Sequence, residues 1–365
     1  MNAPDVLIAG GGGIGLVTAY RLACEGARAV VVDEGRAAAT AAAAGMLAPS
    51  FERTLAGAEA LAAFSRASLD GWRALAPAIE EDSGVGVDLQ LLGILSVAFE
   101  DEGAGDFPAD LRGGVRLTGA EARALEPALG AGVACAWFAE SDGQVDPRAL
   151  LRALPEAIAR RGGRILRGQR VAAVEQSGGA VSGVRLASGE RIGAGAVIVA
   201  TGARLGDLGG LPEGAVFPVK GEALALERPA AGPARVIRTR SAYLCPKADG
   251  RIIIGATEIA RDASLTTDDA RLSRLKAGAL RAAPALGPTA ERERWAGLRP
   301  ATADALPVIG ATASDPAGLV YALGHYRNGV LLAPATADAI LRLLLRCEAA
   351  PAAFSPARFI PSVTR

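Results

Sequence analysis

Histidine is nearly missing from this sequence: His325 is the only one in 365 residues. That excludes metal centres built from several imidazoles and leaves a single candidate for any imidazole acid or base. Cysteine is scarce too. Cys24, Cys135, Cys245 and Cys347 lie far apart with no C-x-x-C pair, which argues against a zinc site or a disulfide framework and predicts free thiols in a reducing compartment. No metal site is expected. An excess of one charge is also absent, because 39 basic and 39 acidic side chains cancel and neither sign forms a long block. Nothing in that balance resembles a nucleic-acid footprint or a polybasic membrane anchor. No segment offers about twenty uninterrupted apolar residues, and the chain enters Val6 to Ala9 without a charged leader. A cytoplasmic protein with a small-molecule partner is therefore expected, with neither nucleic acid nor membrane bound and a homo-oligomer left open.

What is present is a large apolar fraction, 50% of the chain, enough for one large core or two cooperating ones. Asp5 to Ala9 is an aliphatic run closed at once by four glycines, the pattern of a short buried strand. Ile14 to Gly26 then carries Leu16, Ala19, Leu22 and Ala23 at helical spacing, with Gly26 suited to the C-terminal cap. Ala29 to Val32 is a second strand ending on Asp33, so the start of the chain is a βαβ unit with parallel pairing. Further on, a helix is expected over residues 59–82, a strand from Leu89 to Val97 and a helix from Pro147 to Arg161. Arg164 to Glu175, Val181 to Leu186 and Ala196 to Gly202 read as strands, and Val216 to Gly255 is strand-rich. Leu319 to Leu323 is read as a strand, Gly324 to Gly329 as a loop and Pro334 to Arg346 as a helix. The order predicts a nucleotide-binding domain from residues 1–83, 144–216 and 294–365. A largely antiparallel-β domain from 84–143 and 217–293 would be inserted twice.

Gly10, Gly12 and Gly15 satisfy G-x-G-x-x-G between that first strand and helix. The missing side chains allow a tight turn and let a pyrophosphate approach the free N–H groups at the helix N-terminus. Asp33 falls at the end of the second strand, placed to accept hydrogen bonds from an adenosine ribose, and its charge disfavours a 2′-phosphate. The motif alone leaves NAD and FAD both open.

Four ordered segments in the C-terminal half narrow the choice. They are Phe217-Pro218-Val219-Lys220-Gly221-Glu222, Ile254-Gly255-Ala256-Thr257, Trp295-Ala296-Gly297-Leu298-Arg299-Pro300 and Gly324-His325-Tyr326-Arg327-Asn328-Gly329. With Ala44-Gly45-Met46-Leu47 near the start, the sequence resembles the glycine oxidase branch of the D-amino-acid oxidase family of flavoproteins, the branch that serves thiazole synthesis for thiamine. The resemblance implies an α/β fold: a Rossmann-like FAD-binding domain of discontinuous segments plus a mainly antiparallel-β substrate domain. It implies a noncovalent FAD whose adenosine end meets Gly10, Gly12, Gly13, Ile14, Gly15, Asp33, Glu34, Thr40 and Val171. The isoalloxazine would lie beside Ala44, Gly45 and Met46 and the run His325, Tyr326, Arg327, Asn328, Gly329, Val330 and Leu331.

The resemblance also makes Arg299 the anchor for a substrate carboxylate, helped by Tyr243 and with Arg327 and Met46 nearby; a planar guanidinium suits that task. An internal salt bridge from Arg299 to Asp304 is the alternative. Two positions depart from the branch pattern: Ser241 replaces a histidine, and Glu258 stands where an apolar residue is usual. Glu258 either faces the substrate amine or is solvated at a strand end. His325 is expected to shape its loop rather than act as a base, Trp137 and Trp295 to pack in the core, and Cys347 to be a buried thiol. No side chain is expected to be catalytic, since the flavin does the chemistry. The implied reaction oxidises the C–N bond of a small amino acid or amine, with dioxygen as acceptor. A dehydrogenase using a quinone or protein acceptor and a noncatalytic flavin subunit are the rivals, and sarcosine, proline and D-amino acids stand beside glycine as substrates.

Overall fold

The computed structural model describes residues 5–36, 38–51, 58–102, 114–206 and 208–360. Val6–Ala9 is aliphatic and at most 5% exposed, so it must be covered on both faces. It pairs in parallel with Ala29–Asp33 on one side and Ala196–Val199 on the other. Arg164–Arg167 and Leu319–Leu323 extend the two flanks in parallel, and Val308–Gly310 closes one edge antiparallel. One face of this six-stranded sheet is covered by the helices Gly13–Cys24, Ala58–Ser83, Pro147–Arg160 and Gly329–Arg346. A three-stranded antiparallel sheet of Val171–Ser177, Ala180–Leu186 and Arg191–Gly193 covers the other. The resulting three layers bury both sides of the parallel sheet.

A second sheet has nine strands and is almost wholly antiparallel. Its centre is the long pair Phe217–Glu227 and Glu291–Ala301, and the helix Asp269–Ala282 buries Leu272, Leu275 and Ala279 in a core with Leu224, Leu244 and Ile254. The architecture is thus the Rossmann-like α/β unit with a mainly antiparallel-β partner. The boundary expected at residue 294 falls inside one continuous strand, Glu291–Ala301, paired along its length in the second sheet.

Local departures have local causes. The strand expected from Leu89 to Val97 runs instead over Ile94–Phe99, because Gly93 at φ 79 turns the chain just before it. Arg164 to Glu175 divides at a turn into two strands that serve different sheets. Cys347 is exposed at the left-handed end of the last helix rather than buried, and all four cysteines are free.

The last helix begins at Gly329, not near Pro334, and Pro334 lies inside it. A helical proline deprives the carbonyl four residues earlier, here Val330, of its donor. The long helix Ala58–Ser83 supplies the replacement. The Trp72 indole N–H donates to the Val330 and Leu331 carbonyls at 3.1 and 3.2 Å. The Ser68 hydroxyl donates to the Leu331 carbonyl at 2.7 Å and accepts from the Ala335 N–H at 3.1 Å. The helical stretch Tyr326–Arg346 is long and apolar enough to cross a membrane by composition, with mean hydropathy 1.4, but 67% of the apolar window is buried inside the protein. Most of its apolar residues, from Val330 to Leu341, face the core, while Leu345 near its end is exposed.

Candidate active site

A cavity of about 890 Å³ runs from the Gly10 loop, past the first helix, to the face of the second sheet. At the loop end Gly10 packs so closely that a Cβ there would lie 2.4 Å from the Ala200 carbonyl oxygen. The first helix starts after Gly12 with no side-chain cap and no acidic residue in its first turn. Its positive end is therefore left for an anion. Asp33 lines the same cavity and accepts from the Gly11 N–H at 3.3 Å; Thr40 accepts from the Gly13 N–H at 2.9 Å. Glu34 pairs with Arg36 at 2.9 Å on the rim, and Val171 closes the side.

The middle of the cavity is made by Ala44, Gly45 and Met46 on one side and by the run from His325 to Val330 on the other. Gly45 is held by its carbonyl, which accepts from the Val145 N–H at 2.9 Å. The last helix opens here with Asn328 as its N-cap residue, no side-chain cap and no acid in its first turn. A second positive helix end thus faces the cavity. His325 is 3% exposed, and its Nε2 lies 2.9 Å from the Thr336 hydroxyl. Burial pushes its imidazole down to about 3, so the ring is neutral near pH 7.

At the far end Arg299 lies flat over Gly221, where an added Cβ would sit 2.4 Å from its Nη2. The Arg299 Nη1 donates to the carbonyls of Thr257 at 3.1 Å and Lys220 at 3.4 Å. Asp304 is engaged elsewhere, with Arg358 at 2.7 Å, and no carboxylate pairs with Arg299 among the described residues. Tyr243 stands over Gly255. Burial first and then the neighbouring Cys245 push its phenol up to about 12, against the pull of Arg299 and Arg238, so Tyr243 is a hydrogen-bond donor at neutral pH. Glu258 is exposed to the cavity. With burial as the larger cause, its carboxylate helps push the Tyr326 phenol up to about 12.

Residues 5–343 match the family of FAD-dependent oxidoreductases designated DAO. The chain belongs to this family. The flavoprotein is 37% identical to the bifunctional protein ThiO/ThiG of Synechocystis, over 98% of this chain and 54% of that protein. It spans about half the length of that curated relative. With the glycine oxidase of Geobacillus kaustophilus it shares 35% identity over 98% of each chain. The crystal structure of the Geobacillus kaustophilus enzyme superposes with a TM-score of 0.88, covering 99% of this chain and 100% of that one.

The chemistry of the cavity fits the cofactor of the family: two uncapped helix ends for anionic groups, a carboxylate for a ribose and a narrow middle between backbone segments. Two residues named from the sequence lie off the cavity wall of the oxidoreductase. Gly15 is needed for packing, because a Cβ would meet the Gly10 carbonyl oxygen at 2.0 Å, and the carbonyl of Leu331 faces Ser68 and Trp72. Trp295 donates to the Ala42 carbonyl at 3.0 Å beneath Arg148, and like Trp137 it does not line the cavity. Sequence reasoning missed Arg238, which lines the cavity directly opposite Tyr243 in the strand pair Val236–Arg238 and Tyr243–Pro246. A basic residue five positions before the tyrosine, across a tight turn, was the available signal. Ser68 and Trp72 were also missed, since nothing in a helix 263 residues away in sequence points to Leu331.

Proposed function

We propose that this chain oxidises the C–N bond of a small α-amino acid or amine, with glycine as the reference substrate, to the oxo acid, ammonia and hydrogen peroxide. The observation that carries this reading is the Arg299–Tyr243 pair at the cavity end remote from the glycine loop. One edge of the guanidinium is committed to two backbone carbonyls, which fixes its plane and leaves the rest of the fork for a carboxylate. The protonated Tyr243 hydroxyl donates to the same carboxylate.

When bound, FAD would supply the two-electron acceptor that the Cα hydride needs, with dioxygen as the final oxidant. The residues of the chain do the rest by orientation and charge. Gly10, Gly12, Gly13 and Ile14 would hold the pyrophosphate and Asp33 and Glu34 the ribose, with Thr40 and Val171 lining the same end of the cavity. Ala44, Gly45 and Met46 on one wall and His325 to Val330 on the other would hold the flavin between them, where the end of the last helix favours negative charge. The substrate amine reacts in its neutral form, so loss of the Cα hydride leaves its nitrogen doubly bonded to carbon; water then adds to that carbon, and the C–N bond breaks to give the oxo acid and ammonia. His325 takes no proton in this scheme, being neutral and bonded to Thr336. No cysteine lines the cavity among the described residues, which supports a noncovalent FAD. The free thiols fit a cytoplasmic setting, and the likeness to a ThiO/ThiG protein supports a role in thiazole synthesis.

Adding glycine to the yellow protein without oxygen tests this: the flavin should bleach, and air should then restore it with one peroxide formed per cycle. Bleaching without peroxide would favour a dehydrogenase. Failure of glycine, sarcosine, proline and D-alanine to bleach it would refute the reading.

A further inference from the structure

Between the glycine loop and the substrate end, one wall of the cavity is made of little more than backbone. Ala39–Ala42 forms a single helical turn in which no residue is buried, and its N-cap residue, Ala38, makes no side-chain bond. Ala39, Thr40 and Ala42 line the cavity. One turn of helix is marginal in water and needs support from outside. Thr40 ties it to the glycine loop through the Gly13 N–H at 2.9 Å. At its other end the last carbonyls have no partner within the helix, and two distant residues take them. The Arg148 Nε donates to the Ala41 carbonyl at 3.0 Å, and the Trp295 indole N–H donates to the Ala42 carbonyl at 3.0 Å. Arg148 lies over the Trp295 ring at 4.6 Å and pairs with Glu293 at 2.6 Å. Gly297 completes the contact, because a Cβ there would lie 2.3 Å from the Ala42 Cβ. Glu293, Trp295, Gly297 and Arg299 alternate along the strand Glu291–Ala301 and so share one face. That face grips the cofactor-side wall and, about 13 Å beyond Trp295, carries the guanidinium at the substrate end.

We propose that Trp295 is a positioning residue for the oxidation: by holding the Ala42 carbonyl it fixes the spacing between the cofactor wall and the carboxylate that Arg299 holds. The inference rests on the amine-oxidation reading and names a residue that acts through Ala42 rather than by touching substrate. Hydride transfer needs the reacting atoms about 3–3.5 Å apart, and a misplacement of about 1 Å can cost roughly a hundredfold. A strand paired along its length is a stiff spacer between the two ends of the cavity. The alanine turn is held to that spacer by the indole N–H and by Arg148, so loss of the indole donor loosens the spacing without touching the Arg299 fork. Its effect therefore falls on the rate of the redox step, whereas loss of Arg299 falls on substrate binding.

The test compares the FAD-loaded protein with Trp295→Phe, which keeps a ring under Arg148 and removes only the donor. With the amine that bleaches the parent fastest, single-turnover bleaching without oxygen should slow by about tenfold or more at saturating amine, the factor that ~1.4 kcal/mol of barrier supplies. The amine concentration for half-maximal rate, and the affinity for acetate read from the flavin absorbance, should each stay within about threefold of the parent. Titration of the apoprotein with FAD gives a readout apart from turnover. FAD affinity should weaken by about fivefold, because the turn that reaches the glycine loop has lost one hydrogen bond. Gly297→Ala, which drives Ala42 off the strand and leaves the indole in place, should give the same pattern and carries the test if Trp295→Phe does not fold. A variant bleached as fast as the parent, an unchanged FAD affinity, or an acetate affinity that falls in step with the rate would overturn this inference and leave the oxidase reading standing. A parent that no amine bleaches would overturn both.

Discussion

His325 offers a test in which stability and catalysis give separate answers. Its imidazole titrates near 6.5 in an unfolded chain and near 3 in the folded one, with burial as the cause. Because the folded value is the lower, the unfolded chain binds the extra proton first as pH falls, so folding is favoured above 6.5 and weakens progressively toward 3. Over the step from pH 7 to pH 5 the loss from this one group is about 2 kcal/mol, since each pH unit below the unfolded value costs about 1.4 kcal/mol. His325→Gln keeps an amide within reach of Thr336 and removes the titration. Denaturant unfolding at saturating FAD, at pH 7, 6 and 5, should therefore show the parent losing more stability than the variant by that amount. Parallel losses would mean that the ring is not held neutral by burial. The kinetic arm is independent: His325→Gln at full FAD occupancy should retain kcat within about tenfold, whereas general-base loss is worth roughly a hundred- to ten-thousandfold. A drop of that size would refute the assignment of His325 to structure.

Arg299→Met should cost about 2–5 kcal/mol, roughly thirty- to several-thousandfold in kcat/KM and largely in KM; a change below tenfold would place the carboxylate elsewhere. Tyr243→Phe removes one hydrogen bond to a charged group, at most about 1.5–3 kcal/mol, and substantial kcat should remain. Glu258→Met should shift preference toward glycine and small apolar amines across a substrate panel; an unchanged ranking would show that the carboxylate does not face the amine. Trp72→Phe keeps the ring but leaves the Val330 carbonyl without its donor, costing about 1–3 kcal/mol of stability. An unaltered melting temperature would show that the bond is dispensable.

Much of the cofactor half was legible because its signals are local. Strand, glycine turn, helix and Asp33 follow one another within a short stretch, and periodicity marks each. The substrate end was readable only through resemblance. Arg299 and Tyr243 sit on strands distant in sequence, and Glu258 on the short connection between Arg251–Gly255 and Ile259–Ala260, and no periodic pattern encodes which of them line one cavity. Pro334 misled for a related reason. Proline normally marks a helix boundary, but here a tryptophan and a serine from another helix satisfy the carbonyls that it disturbs. Glu258 shows the limit of the alternatives posed: it is solvent-accessible and lines the cavity too.

The Ser68–Leu331 contact also has a meaning in time. A ribosome delivers residue 68 long before residue 331, 263 positions later. Until then the long helix carries an indole and a hydroxyl whose acceptors have not been made, and the sheet lacks the strand Leu319–Leu323 that flanks Ala196–Val199. The helix end that lines the cavity at Asn328 and Gly329 therefore takes its place only when the last part of the fold docks. Any hold on the cofactor that depends on this end of the cavity is therefore completed at the close of assembly rather than at its start.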